Sequence, residues 1–207
     1  MRKELNLANW SRQPHFNFFK DFDEPFFGIT ADVECTHAYQ NYKNLNTSFF
    51  LYYLHCSLVA VNSIEEFRYR IEDEKIYVYD EVGASATINR TDGTFGFSYI
   101  NFHKDFKTFE QIALAEIERV RADNRLIPGS ASANIIHYSS IPWIKFTSLS
   151  HARKFDGNDS VPKITFGKVY QEKDKYKMPV SVHVHHALMD GYHLGQYFEQ
   201  FEETLNY

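Results

Sequence analysis

The sequence predicts a single α/β (α+β) domain in which a mixed β-sheet is covered by helices as a two-layer sandwich. Three observations predict this class. Short runs of alternating apolar and polar residues recur along the chain and indicate strands. Between them lie about three longer segments with helical or wholly apolar patterning. No repeat, low-complexity tract or Pro/Gly linker divides the 207 residues, a length that fits one domain, residues 1–207.

The first part of the chain predicts two helices and a strand. Pro14 suits the first turn of a short helix over residues 14–20. Residues Phe26–Cys35 alternate with the period of a strand. Residues 37–61 predict one long helix, and its second half is almost entirely apolar and therefore expected to be buried.

Two turn signals predict hairpins in the middle of the chain. Asp73-Glu74 and Asp92-Gly93 each separate two alternating runs, and Asp-Gly suits a two-residue hairpin turn. The predicted strands are 67–71, 75–79, 85–90 and 94–102.

The remaining chain predicts a helix, four strands and a final helix. Thr108 and Gln111 have the spacing of a capping box, and Pro128-Gly129 ends the region that follows. An amphipathic pattern predicts the last helix over residues 192–205. The helix that begins near Thr108 has an apolar face made of Phe109, Ile112, Ala113, Ile117 and Val120. The strands expected between the two helices are 133–138, 143–150, 163–170 and 176–185.

Composition and charge restrict the possible functions. A net charge of −5 provides no electrostatic footprint for a nucleic acid. Cys35 and Cys56 lack the spacing of a disulfide framework, which predicts reduced, buried thiols. The basic start is followed by no apolar signal segment, and the apolar stretch over Ser48–Val61 is too short to span a bilayer. We therefore expect a cytoplasmic protein without nucleic-acid or membrane partners.

The segment from His185 to Gly191 carries the best functional lead. Alternation through residues 179–186 places His186 at the carboxyl end of an apolar row, where α/β sheets tend to build sites. A histidine there can take a proton from a substrate hydroxyl near neutral pH. Gly191 allows the tight turn into the last helix.

Three plainer interpretations of this segment remain open. His186 could be a hydrogen-bonded core histidine, and Asp190 could simply cap the last helix. The neighbouring His183, His185 and His193 could contribute to a zinc site. Against zinc, alternation points His186 away from His183 and His185, and no second ligand group with recognisable spacing occurs elsewhere, so we expect no metal.

Three separated motifs make the chain similar to one known family. Residues 10–16 match W-x-R-x-x-H-F, residues 139–148 match S-x-x-P-W-x-x-F-x-S, and residues 185–191 match H-H-x-x-x-D-G. Residues 165–168 also match T-x-x-K. The H-H-x-x-x-D-G motif is shared with the acyltransferase cores of 2-oxo-acid dehydrogenase complexes, whereas W-x-R-x-x-H-F and S-x-x-P-W-x-x-F-x-S are not. In order and separation, the motifs resemble the chloramphenicol acetyltransferase family over essentially the whole chain.

This resemblance implies a fold and a set of partners. The fold would be that of the CoA-dependent acyltransferases, and the protein would form a homotrimer with each active site at a subunit interface. Acetyl-CoA would be the co-substrate and a small hydroxyl compound the acceptor, with no metal. Lys168 would contact the 3′-phosphate of CoA.

The resemblance also implies roles for individual site residues. His186 would be the general base that deprotonates the acceptor hydroxyl. Ser139 would donate its hydroxyl to the oxyanion of the tetrahedral intermediate, and Thr165 would assist through a bound water. Asp190 would pair with Arg12 to hold the site together.

The acceptor pocket departs from the family pattern. Phe19 stands where family members have a tyrosine, and Phe27 keeps an aromatic ring. Leu149, His151 and Arg153 would share one face of a predicted strand where the family has small or apolar residues, and such polar groups suit the neutral drug poorly. We expect an O-acetyltransferase for chloramphenicol or a similar acceptor. An acyltransferase for a polar or anionic metabolite and a non-catalytic trimeric binding protein remain the alternatives.

Overall fold

The computed structural model describes residues 1–126, 133–153 and 159–207, and the predicted helix end at Pro128-Gly129 lies outside them. The strands of the described residues are β1 (Arg2–Glu4), β2 (Phe26–Glu34), β3 (Tyr69–Glu72), β4 (Lys75–Tyr79), β5 (Gly83–Asn89), β6 (Phe95–Phe97), β7 (Ile135–Ser140), β8 (Lys163–Phe166), β9 (Tyr170–Glu172) and β10 (Lys175–His185). The α-helices are α1 (Gln13–Phe19), α2 (Thr36–Asn41), α3 (Phe49–Ser63), α4 (Phe106–Ala122) and α5 (Gly191–Asn206).

Most strands join one mixed sheet. Its strand order is β2-β10-β8-β7-β5-β6, and β9 pairs with β10. β7 runs parallel to β5 and β8, whereas β10 runs antiparallel to β2 and β8. A smaller antiparallel sheet has the order β1-β4-β3. The predicted class, helices packed on a mixed sheet, is confirmed.

One face of β10 lies at the centre of the hydrophobic core. Val180, Val182 and Val184 are fully buried there. α3 is buried on nearly all sides, and α5 presents one apolar side at helical spacing to the same core. The buried residues of α5 are His193, Leu194, Tyr197, Phe201 and Leu205. Because the helices hold this face of β10, the position of the chain just beyond its end is fixed as well.

The predicted helix over 37–61 is wrong as a single element. The chain forms α2, a 3-10 turn over Tyr42–Leu45, and then α3. Asn46 ends the turn in the left-handed conformation with a φ of 53°. Ser48 then begins α3, because its hydroxyl accepts a hydrogen bond from the backbone N–H of Leu51 at 3.2 Å. Asn and Ser favour helix ends over helix interiors, which apolar periodicity does not register.

The predicted strand over 143–150 is also wrong. The chain turns here instead of pairing with a neighbouring strand. Trp143 and Ile144, which supplied much of the apolar signal, are 74% and 56% exposed. Pro142 has no N–H to donate to a strand ladder, so the segment starts at a position that disfavours sheet pairing.

Of two other local predictions, the helix cap at Thr108 is wrong and the turn at Asp73-Glu74 is right. The start of α4 is capped by Asp105 rather than by Thr108, since the Asp105 carboxylate accepts the backbone N–H of Thr108 at 2.9 Å. The turn at Asp73-Glu74 is confirmed, and both residues have positive φ, 49° and 63°. Such paired positive φ angles are those of the hairpin turn that matches strand twist.

The cysteines behave as predicted. Cys35 and Cys56 are free and buried, and burial raises the pKa of each thiol to about 12. Both thiols therefore stay protonated at neutral pH. No helix among the described residues is long and apolar enough to cross a membrane.

A buried hydroxyl triad ties the sheet to two helices. The Ser57 hydroxyl on α3 lies 2.9 Å from the Tyr138 hydroxyl on β7 and 2.8 Å from the Tyr197 hydroxyl on α5. All three side chains are buried. Buried hydroxyls need such partners, because an unpaired one costs about 1–3 kcal/mol.

We predict that Ser57→Ala destabilises the fold by about 1–3 kcal/mol, since both tyrosine hydroxyls lose a buried partner. Urea unfolding would measure the change in free energy. Ser63→Ala is the matched control on the exposed end of the same helix and should change stability by less than about 0.5 kcal/mol. Equal effects of the two substitutions would contradict a stabilising triad.

The face of the sheet opposite the core carries polar side chains. In one row, His137 on β7 lies opposite Lys163 on β8, which lies opposite His183 on β10. The next residue across this row is Gly28, and a Cβ there would lie 2.3 Å from the His183 ring, so only glycine lets that ring lie across β2. We call this side of the sheet the polar face: His137, Ser139, Lys163, Thr165, Ser181, His183 and His185.

Burial keeps the imidazoles of this region uncharged. Burial, reinforced by the positive charge of Lys163, lowers the pKa of His137 to about 4. Burial also lowers the pKa of His151 and of His185 to about 4. His151 belongs to the same region because its ring centroid lies 5.0 Å from that of His183.

These shifts predict a loss of stability in mild acid. Unfolded histidines take up protons near pH 6.5, whereas His137, His151 and His185 in the fold do so near pH 4. The unfolded state therefore binds more protons over this range, and the free energy of unfolding should fall as pH drops from about 6.5 to about 4.

Urea unfolding at several pH values would measure this slope. His137→Asn should reduce it, because one of the titrating groups is removed. His15→Asn, at an exposed position on α1, is the matched control. A stability that does not change over this pH range would show that the imidazoles are not buried in the uncharged form.

Candidate active site

His186 is the first residue beyond β10. Its backbone N–H donates to the Pro25 carbonyl at 2.8 Å, which extends the contact with the chain before β2. The ring stacks on Phe19 with a centroid distance of 4.0 Å and an interplanar angle of 19°. Phe27 packs on it at 4.5 Å. Two aromatic rings and one backbone bond thus fix the position of this partly buried imidazole.

A backbone carbonyl sets the tautomer of His186. Its Nδ1 lies 3.1 Å from the Met189 carbonyl oxygen. Since a carbonyl can only accept, this hydrogen bond requires the proton on Nδ1. The neutral ring then carries its lone pair on Nε2, which is the atom that can accept a proton from a substrate.

Asp190 both caps α5 and binds Arg12. One carboxylate oxygen accepts the backbone N–H of Tyr192 at 3.0 Å, and the other lies 2.5 Å from Arg12 Nη1. Burial raises the pKa of Asp190, but the hydrogen bond and charge of Arg12, with His193, hold it below its usual value. The interpretation of Asp190 as a helix cap and the implied ion pair are therefore compatible.

His193, a possible zinc ligand by its place in the sequence, completes the same network. Its Nδ1 accepts the backbone N–H of Asp190 at 3.1 Å, forming a capping box with the N-cap residue. Its Nε2 lies 3.6 Å from Glu66, whose pKa is lowered chiefly by the hydrogen bond with His193. The D-x-x-H spacing at the start of α5 was the available signal; nothing local pointed to Glu66.

Ser139 and Thr165 lie side by side on the polar face. They are directly opposite each other in the parallel pairing of β7 and β8. Thr165 is fully buried, and its Oγ1 has no hydrogen-bond partner within the described part of the chain. Ser139 is partly buried.

The structure does not bring these hydroxyls to His186 within one chain. Thr165 also lies opposite Ser181 on β10. Ser181 precedes His186 by five residues, which corresponds to about 16 Å at about 3.3 Å per strand residue. A base and an oxyanion donor that act on one ester bond must lie much closer together.

The remaining predicted site residues are Lys168, which follows β8, and Leu149, His151 and Arg153, which precede it. Lys168 is exposed just after β8, where its backbone N–H donates to the Ile144 carbonyl at 2.9 Å. Leu149, His151 and Arg153 lie outside any strand, so the alternation that assigned them to one face does not apply.

His151 and Arg153 nevertheless approach the polar face. The Arg153 guanidinium lies 3.7 Å above the Phe26 ring and forms an ion pair with Glu24. His151 packs edge-on against His183. Leu149 is partly buried beside them. Among the described residues, no group of three or more His, Cys, Asp or Glu side chains is arranged to hold a metal ion.

Comparisons with known proteins identify the family. The family model described as chloramphenicol acetyltransferase matches residues 2–202. A chloramphenicol acetyltransferase of Proteus mirabilis is 28% identical over 96% of this chain and 92% of its own length. Chloramphenicol acetyltransferase 3 of Escherichia coli is 28% identical over 98% of this chain and 96% of its own.

Solved structures show the same relationship. A chloramphenicol acetyltransferase structure superposes with a TM-score of 0.88 at 31% identity, covering 99% of this chain and all of that one. A probable dihydrolipoamide acetyltransferase from Listeria monocytogenes superposes with a TM-score of 0.68 at 11% identity, over 98% of this chain and 94% of its own, and shares the fold alone. The chain belongs to the chloramphenicol acetyltransferase family and is an acyltransferase with the CoA-dependent acyltransferase fold.

Proposed function

We propose that the protein is an acetyl-CoA-dependent O-acetyltransferase that transfers an acetyl group to a hydroxyl of chloramphenicol or a similar small acceptor. Family membership supports the reaction. The observation that carries the mechanism is the hydrogen bond from His186 Nδ1 to the Met189 carbonyl, because it leaves Nε2 free as the base. The stack on Phe19 and Phe27 holds that base in one orientation.

The reaction needs no acyl-enzyme, because a thioester is already activated. His186 Nε2 takes the proton of the acceptor hydroxyl, and the oxygen attacks the thioester carbonyl. The tetrahedral intermediate collapses by breaking the C–S bond, and the imidazolium returns the proton to the departing CoA thiolate. A positioned base contributes on the order of 10²–10⁴-fold to such a reaction.

Ser139 and Thr165 stabilise the intermediate. The Ser139 hydroxyl donates to the developing oxyanion, a contribution on the order of 10²–10³-fold for one such donor. Thr165 acts through a water, which would also satisfy its unpartnered Oγ1. Exposed Lys168 follows β8 directly and contacts the 3′-phosphate of CoA.

The active form is a homotrimer in which His186 of one subunit meets Ser139 and Thr165 of the next. The separation of about 16 Å within one chain supports this arrangement, since one subunit alone cannot place base and oxyanion donor on the same substrate. Cyclic symmetry lets each subunit contribute one half of two identical sites. We also propose a cytoplasmic location, supported by the two free, buried cysteines.

Release of CoA thiol from acetyl-CoA, with and without chloramphenicol, tests the activity directly. We expect acceptor-dependent release by the wild-type protein. His186→Ala should reduce it about 10²–10⁴-fold. Acceptor-dependent release that persists at the wild-type rate in His186→Ala would contradict the mechanism.

A mixing experiment tests the shared site. His186→Ala and Ser139→Ala proteins should each be poorly active, but unfolding and refolding them together should restore activity. Random trimers would contain intact sites at roughly a quarter of the interfaces, where a chain with His186 meets a chain with Ser139. The control mixes His186→Ala with the His186→Ala/Ser139→Ala double variant, which cannot restore a site. Activity no higher than the sum of the separate variants would contradict the shared site.

The Arg12–Asp190 ion pair should matter chiefly for stability and positioning. Arg12→Gln should cost about 2–3 kcal/mol, less than the loss for a fully buried pair, because a third of the Asp190 side chain is exposed. Lys75→Gln is the matched control: its ion pair with Glu4 is about half exposed on both sides and should contribute at most about 1 kcal/mol. Urea unfolding would measure the loss of stability in both variants. Equal losses would contradict the role assigned to the Arg12–Asp190 pair.

A further inference from the structure

We propose that the acceptor bound at this site is a small hydroxyl compound that carries an anionic group, held at the polar face by Lys163 and Arg153. This inference rests on the proposed acetyl transfer and specifies its acceptor. The proposal rests on two features of the row His137, Lys163 and His183 on the polar face. These are its position relative to Ser139 and Thr165 and the chemistry of its side chains.

The position follows from strand register. Ser139 and Thr165 form one pair across β7 and β8, and His137 and Lys163 form the pair two residues earlier. Two strand residues span about 7 Å, and both pairs point to the same face. Lys168, assigned to CoA, lies beyond Thr165 in the opposite direction along the chain. The acceptor therefore extends from the reacting carbonyl towards Lys163.

Two cations converge on this end of the polar face. The Lys163 ammonium lies 4.6 Å from the Phe26 ring centroid, and the Arg153 guanidinium lies 3.7 Å from the same ring. Both side chains are about nine-tenths buried. His185 packs edge-on to Phe26 at 5.5 Å. A ligand beside this ring would meet two cationic donors.

The local charge of the described residues favours an anion. Lys163 pairs with Asp159 at 2.6 Å, and Arg153 pairs with Glu24, which is half exposed and therefore screened by water. Nearby Arg70 is fully buried, and its hydrogen bonds go to backbone carbonyls, including those of Ala133 and Ile135. Lys163 and Arg153 are thus each paired with a described carboxylate, and Arg70 adds a further positive charge near Lys163 and His137.

Neutral imidazole nitrogens beside the two cations also suit an anionic ligand that carries hydroxyl groups. Burial, reinforced by the charges of Lys163 and Arg70, lowers the pKa of His137, so this ring offers neutral donor and acceptor atoms. His151 Nε2 is buried without a hydrogen-bond partner among the described residues. A carboxylate or phosphate with hydroxyl groups can satisfy such atoms, whereas an apolar ring would leave them unpaired at about 1–3 kcal/mol each.

The test compares matched acceptors that differ only in charge. The probes are 3-hydroxy-2-phenylpropanoate and its methyl ester, with chloramphenicol as a second neutral acceptor. For each probe, calorimetric binding without acetyl-CoA and thiol release with acetyl-CoA are measured on the wild-type protein and on Lys163→Met, Arg153→Gln and Lys107→Met. Lys107→Met is the control, since Lys107 is exposed on α4, away from the polar face. Thermal melts confirm that each variant is folded.

We expect the wild-type protein to bind the acid more tightly than the ester. Lys163→Met and Arg153→Gln should each weaken binding of the acid by about 10- to 100-fold, the loss expected for a charge-assisted hydrogen bond, while barely changing the ester. Lys107→Met should change neither. Equal binding of acid and ester by the wild-type protein, or equal losses for both probes in the two variants, would overturn the proposal. If Lys163→Met does not fold, Arg153→Gln alone decides.

The two readouts separate this proposal from the proposed function. Charge-selective binding that depends on Lys163, without thiol release for any probe, would leave the anion site standing and overturn acetyl transfer. Thiol release for chloramphenicol and the ester, with no preference for the acid in binding or turnover, would leave acetyl transfer standing and overturn the anion site.

Discussion

The alternation of side chains along β10 is the constraint on which the rest of the molecule depends. Its odd and even positions have separate tasks: the valines lie in the core that α3 and α5 also line, whereas Ser181, His183 and His185 contribute to the polar face. A one-residue slip in register would exchange these two sets, placing the imidazoles in the apolar core and the valines on the polar face. The same register also decides where the strand ends, and with it the position of His186.

The site is built where several backbone features coincide at that end. β10 stops at His185, the chain before β2 supplies the Pro25 carbonyl, and α5 begins at its Asp190 cap. Arg12, from the other end of the chain, reaches the same cap. The Arg12–Asp190 pair therefore ties the two ends of the chain together four residues after His186, the proposed base.

The sequence could predict the elements and residues that carry a local or motif signal. The amphipathic helix at the end of the chain, the turn at Asp73-Glu74 and the position of His186 just beyond a buried strand all follow from spacing. What it could not predict depends on backbone choices and tertiary pairing. The break at Asn46 needs a left-handed residue, and the turns around Trp143 expose apolar side chains that a periodicity argument buries. Lys163 and His137 meet only because β7 and β8 pair in one register.

The hydrogen bond of His186 with the Met189 carbonyl makes the tautomer of the imidazole independent of the neighbouring side chains. The partner of the imidazole is a main-chain atom, present whichever residue occupies position 189. The tautomer of the proposed base therefore depends on the path of the backbone and not on the side chain at position 189. Substitutions among the side chains of the proposed acceptor site, Lys163 and Arg153 included, would leave this main-chain hydrogen bond in place.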